Sequence, residues 1–142
     1  MIELMPLCTM QVDLAPALAV GVGPAGDRSV GAIRAVAVAG ERLNATLAGP
    51  AAADWLVRTG AIGVIDARIT LRTHDDALIY MRYGGRLNLS NPAAGFIAYV
   101  APVFETGDPR YAWLNAVQAV GKGLLVLSAD GGSLNYEFCE VR

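Results

Sequence analysis

The sequence predicts an all-β fold: one antiparallel β-barrel of about nine short strands, calycin-like, spanning residues 1–142, with one or two short helical turns. Three observations carry this. First, 16 Gly and 7 Pro punctuate the 142 residues at short intervals, and the segments between them are rich in Val, Ile, Leu and Tyr. Second, "VIDARITLR" (64–72) alternates cleanly: Ile65, Ala67, Ile69 and Leu71 against Asp66, Arg68, Thr70 and Arg72. Third, no long helical period interrupts the strands, which suggests a barrel or a closed sandwich.

In chain order, strands are expected at Cys8 to Leu14, Ile33 to Val38 and Arg42 to Leu47. Residues 48–60 have room for one helical turn near Pro50. The strand at 64–72 turns at "THDDA" and returns as "LIYMRY", ending at Gly84-Gly85. A three-residue loop at 74–76 sets Thr70 opposite Tyr80 and Arg68 opposite Arg82. A two-residue loop sets Arg68 opposite Tyr83 and swaps the faces of the return strand. Phe96 to Phe104 forms the next strand. In "GDPRYAWLN" (107–115), Asp108 is a cap and Pro109 a first helical residue, with Tyr111 and Leu114 on one face of a short helix. Strands at Ala116 to Val120, Leu124 to Ser128 and Leu134 to Val141, with turns "GKG" (121–123) and "ADGG" (129–132), complete the set.

Composition removes several function classes. Lys plus Arg is 11 and Asp plus Glu 13, a net charge of −2, and only one of the eleven cations is Lys. No basic run exists, so a nucleic-acid partner is not expected. Hydrophobic residues reach 54% and charged residues 17%, a surplus that points to a subunit interface or a ligand cavity. Cys8 and Cys139 are read as free thiols in a reducing compartment, buried rather than nucleophilic. His74 is the lone histidine and falls at a hairpin tip, so no metal site is expected, although an all-carboxylate one stays open. The N-terminus does not read as a signal peptide, and no apolar run reaches membrane-spanning length. The expectation is a cytoplasmic protein with no membrane partner. The sequence also lacks a nucleophile elbow, a G-x-G-x-x-G and a P-loop.

"PAGDR" (24–28), "GERL" (40–43), "ADW" (53–55), "DARITLRT" (66–73), "ALIY" (77–80) and, above all, "FETGDPRYAWLN" (104–115) resemble domain-of-unknown-function family 3237 across nearly the whole chain. That resemblance implies a small antiparallel β-barrel, often oligomeric, hence a homo-oligomer of two or more copies. It also implies cofactor-independent chemistry on aromatic or polyketide-like molecules, such as decarboxylation of lignin-derived compounds. Two departures stand out. The hairpin turn reads His74-Asp75-Asp76 where the family has an acidic pair and a Gly, and no Gly-Gly precedes "GERL".

On this footing the expected function is a cofactor-independent lyase, a decarboxylase of a small aromatic acid. The alternative is a non-catalytic small-molecule binder. Asp54, Arg68 and Tyr80 are the candidate catalytic residues; Arg28, Trp55, Tyr83 and Trp113 the candidate binding residues. Arg68 suits bidentate recognition of a carboxylate if its face is the barrel interior. If that face is the outside, Arg68 is a solvated charge. Asp54 beside apolar walls would have a raised pKa suited to proton transfer. Trp55, Tyr80 and Trp113 would strip water from a bound acid.

Overall fold

Alternating side chains decide which face of each strand goes inside. Along residues 62–73 every odd-numbered residue is buried and the even ones face outward, and residues 79–83 continue the odd pattern. The computed structural model describes residues 1–92 and 95–142. Its elements are β1 (Leu4–Leu14), β2 (Leu18–Gly23), β3 (Gly26–Ala39), β4 (Ala45–Leu47), β5 (Ala53–Thr59) and β6 (Ile62–Thr73). There follow β7 (Leu78–Asn88), β8 (Phe96–Val100), β9 (Val103–Glu105), a 3-10 helix (Pro109–Ala116), β10 (Ala119–Ser128) and β11 (Gly131–Val141).

The sheet is antiparallel and closes. Going round, the order is β6, β5, β3, β1, β11, β10, β8, β7 and back to β6. Closure removes the free edges that an open sheet would expose. The short β4 lies between β3 and β6 beyond the end of β5, and β9 continues the place of β8 beside β7. The interior is packed with aliphatic and aromatic side chains, among them Met10, Ile69, Leu71, Ile79 and Met81. The barrel expected from the sequence is therefore the fold of the chain.

Several local expectations change. Residues 53–59 form a strand, not a helical turn, because β3 on one side and β6 on the other take up its backbone groups. β2 was not expected at all; Leu18, Val20 and Val22 are exposed, and it pairs only with β3. "GKG" is not a turn but the middle of β10. A Cβ at Gly121 would stand 2.2 Å from the Phe138 ring, and one at Gly123 would stand 2.5 Å from the Tyr136 ring. Both glycines leave room for aromatic side chains of β11. The Phe96 to Phe104 strand is cut at Pro102, which has no N–H for a ladder.

One end of the barrel is plugged. Asp108 caps the 3-10 helix, accepting from Arg110 N at 2.9 Å, with Pro109 at its start, as the sequence predicts. Tyr111 and Leu114 are buried against the barrel end. The Tyr111 hydroxyl donates to Asp75 Oδ1 at 2.7 Å, and Arg110 Nη1 donates to the Asp75 carbonyl at 2.9 Å, which ties the helix to the β6–β7 turn. In that turn Asp76 holds a φ of 70°, the one positive φ among the described non-glycine residues. Asp tolerates this conformation, which is why the turn forms without the glycine.

Candidate functional site

At the end opposite the plug, the barrel holds a cavity of about 340 Å³. Its walls include Leu56, Ile65, Leu87, Leu125 and Leu134, and its rim is the β1–β2 connection at 15–17 and the β10–β11 turn. This lies at the low end of the size range of small-molecule pockets, ~300–1,000 Å³. Among the described lining residues, Asp54 is the only titratable one. β5 brings it inward: Asp54 pairs with the buried Ala67, and the next inward position, Leu56, also lines the cavity.

Asp54 accepts one hydrogen bond, from Asp66 N to Oδ1 at 2.9 Å. Burial pushes its carboxyl group up to about 6 against that hydrogen bond; the Asp66 charge adds to the push and Arg28 opposes it. A carboxyl with this value exchanges protons near neutrality, so it is equipped for general acid–base work. Larger hollows of about 530 and 750 Å³ share Lys122 and Glu137 of β10 and β11; the first also touches Tyr99, the second Met10 and Tyr136.

Below the cavity lie two phenols. Tyr83 pairs with Ala67, which pairs with Asp54, so the three share one rung of the inner wall. The Tyr83 and Tyr136 rings meet edge-on with centroids 5.7 Å apart, and Tyr136 stacks on Phe138 at 5.2 Å. Both tyrosines are 2% exposed. The Tyr136 hydroxyl is buried with no hydrogen-bond partner among the described residues. Burial pushes both phenols up, Tyr83 and Tyr136 each feel the Asp54 charge, and Tyr83 also feels Tyr136. Both therefore stay protonated near neutrality and have a proton to donate.

The structure sorts the candidates by face. The register of β6 and β7 is that of the three-residue loop, with Thr70 opposite Tyr80 and Ala67 opposite Tyr83. Asp54 and Tyr83 are thus brought together inside. Arg68 is exposed opposite Arg82 on the outer face, because the alternation that buries Ala67 and Ile69 sends it to solvent. It does not reach the cavity. Tyr80 is half-buried on the same outer face, beside Glu105 of β9. Trp55 is 40% exposed outside, and Arg28 Nη1 donates to the Trp55 carbonyl at 2.7 Å, stapling two strands. Trp113 packs at the plugged end, its ring 4.6 Å from the Arg42 guanidinium, so it cannot wall the cavity. Burial pushes the Cys8 thiol up to about 12, which leaves it a poor nucleophile.

Sequence reasoning missed Tyr136 and the leucine walls. A signal for Tyr136 was present: Leu134, Tyr136 and Phe138 alternate with Asn135 and Glu137, opposite glycines at 121 and 123. Among the described residues, no three His, Cys, Asp or Glu side chains gather as a metal site would need. No helix among them is long and apolar enough to cross a membrane.

The fold recurs in solved proteins. A β-barrel-like protein from Acinetobacter baumannii is 27% identical, with a TM-score of 0.85, over 100% of this chain and 97% of that one. A conserved protein of unknown function from Rhodopseudomonas palustris is 22% identical, with a TM-score of 0.85, over 100% and 99%. An enzyme from Penicillium herquei is 21% identical, with a TM-score of 0.71, over 100% and 94%. No curated protein matches the chain significantly. The pattern of the family described as protein of unknown function (DUF3237) matches residues 2–141, and the chain belongs to that family.

Proposed function

We propose that the barrel binds a small apolar molecule, aromatic or polyketide-like, and that Asp54 exchanges a proton with it without a cofactor. The observation that carries this is a single carboxyl group in a leucine-lined cavity. Such surroundings raise its pKa and strengthen any hydrogen bond it makes to a ligand. A structural neighbour described as an enzyme lends support to catalysis on this fold.

Decarboxylation of a small aromatic acid is the lyase reaction within this reading. It requires Asp54 in its protonated form, delivering the proton that takes the place of CO2, because an ionised Asp54 would repel a substrate carboxylate. With Arg68 outside, no guanidinium among the described lining residues holds such a carboxylate. An uncharged substrate therefore fits the cavity better than a charged one.

The test has two parts. N-phenyl-1-naphthylamine, an uncharged fluorescent probe, is titrated into wild type and into Leu134→Trp, which fills the cavity. Binding lost only in the variant is expected; wild type that does not bind the probe overturns the cavity reading. A panel of aryl ketones, phenols and aryl carboxylates is then assayed for turnover, CO2 release included. Turnover abolished by Asp54→Asn is expected, and inertness of wild type across the panel leaves a binder without catalysis.

Self-association belongs to the same proposal. Leu18, Val20 and Val22 on β2 are 70%, 70% and 88% exposed, and one edge of β2 is unpaired among the described residues. "LAVGVG" carries no charge, so a second copy can pair antiparallel along it without repulsion.

A further inference from the structure

Two buried phenols beneath an acid make a site for one class of ligand. Inward positions along β11 run from the rim as Gly132, Leu134, Tyr136 and Phe138. The first two line the cavity, so Tyr136 is the next side chain down. On β7 the same descent runs from Leu87, which lines the cavity, to Tyr83. Asp54 lines the wall on the Tyr83 rung, across the small Ala67. Tyr83 and Tyr136 are thus the inward side chains just beyond those that line the cavity, with Asp54 in its wall beside them.

The Tyr136 hydroxyl is the informative atom. A buried phenol without a partner is destabilising, and a fold keeps one only where something else offsets the loss. The ring is also held on purpose. Gly123 gives up its Cβ to admit it, while Phe138 and Tyr83 fix it from two sides. A ligand oxygen that accepts from this hydroxyl would satisfy it.

We propose that Tyr136, with Tyr83 beside it, is an oxyanion-stabilising floor for an uncharged enolisable ketone whose α-proton Asp54 removes. The inference rests on the reading that Asp54 exchanges a proton with a ligand in this cavity. The step balances without a redox partner. The α C–H bond breaks and its proton forms an O–H bond with the Asp54 carboxylate. The C–H electron pair becomes the enolate C=C bond, and the carbonyl π pair moves to oxygen, which accepts a hydrogen bond from Tyr136. Return of the proton at carbon regenerates the ketone; a leaving group at the β-carbon would instead depart with its electron pair, which is lyase chemistry. Donors fixed where charge develops stabilise the transition state more than the ground state.

The experiment follows exchange of the α-protons of 1-tetralone for deuterium in D2O by NMR, with benzophenone, which has no α-proton, as the binding control. Wild type is expected to accelerate exchange above buffer, and Asp54→Asn to abolish the acceleration. Tyr136→Phe is expected to slow it by about tenfold or more, since loss of one oxyanion donor costs ~10²–10³ in favourable cases. Benzophenone should still bind Tyr136→Phe, with its affinity lowered by a smaller factor than the exchange rate. If Tyr136→Phe folds, binds benzophenone and exchanges 1-tetralone at the wild-type rate, the floor is not an oxyanion site. If wild type binds both ketones and does not accelerate 1-tetralone exchange, the enolisation proposal is overturned while the binding cavity stands. If neither ketone binds, both readings fall. Tyr83→Phe serves as the second variant should Tyr136→Phe not fold.

Discussion

A carboxyl group that loses water on folding makes stability depend on pH in an unusual direction. Asp54 stands at about 6 in the fold, against 3.8 when free, so between pH ~4 and ~6 the folded state holds a proton that the unfolded state has released. The Asp54 contribution to stability is therefore highest below pH ~4, falls as pH rises to ~6, and is flat above. Asp54→Asn removes the titration while keeping an acceptor for Asp66 N. The variant should be more stable than wild type at pH 8, by ~1–2 kcal/mol once cavity hydration is allowed for, and gain nothing at pH 4. Urea midpoints at the two pH values check this, and an equal gain at both would mean that Asp54 is not the buried acid described here. At this scale the sequence was only partly legible. The Asp54 position in an apolar segment pointed to a raised pKa. Tyr83 depended on a one-residue choice of register, and the face of Arg68 depended on which side of the sheet was the interior. The period of two separated the faces without saying which was inside.

Glycine shows how strands read differently from the way their residues do. "GKG" has the composition of a turn, yet it crosses the centre of β10 because β11 places Tyr136 and Phe138 over it. Gly123→Ala would put a methyl 2.5 Å from the Tyr136 ring, and the ring would have to move. The expected cost is ~1–3 kcal/mol of stability, with 1-tetralone exchange reduced because the hydroxyl moves with the ring. Gly107→Ala, which meets nothing within 4 Å, is the control and should stay within ~0.5 kcal/mol. Denaturant unfolding of both variants decides it. The same contrast explains the other elements. The β6–β7 hairpin and the capped 3-10 helix announce themselves because turn and cap chemistry is local. β2 and β5 do not: "LAVGVG" has no polar residue to mark one face, and Asp54 followed by Trp55 hides the alternation of β5, whose place depends on pairing with the distant β3.

For the whole molecule, the closed ring leaves β2 as the conspicuous uncharged edge. Light scattering should give a mass at least twice the 14.8 kDa of one chain, and Val20→Lys should shift it toward the monomer without altering the circular dichroism. A monomeric wild type at high micromolar concentration would refute the self-association proposal. The plug has a kinetic reach that its packing alone does not convey. Tyr111 and Leu114 seal one end, so the described cavity has its mouth at the other, between the β1–β2 connection and the β10–β11 turn. The barrel is a bottle, not a pipe. Whatever enters must leave by the same neck, so on the proposed catalytic reading a product lingering inside would bar the next substrate and inhibit in strict competition with it. Two large reactants would have to queue, and traffic through the neck, set by the rim loops, would then govern the rate of turnover.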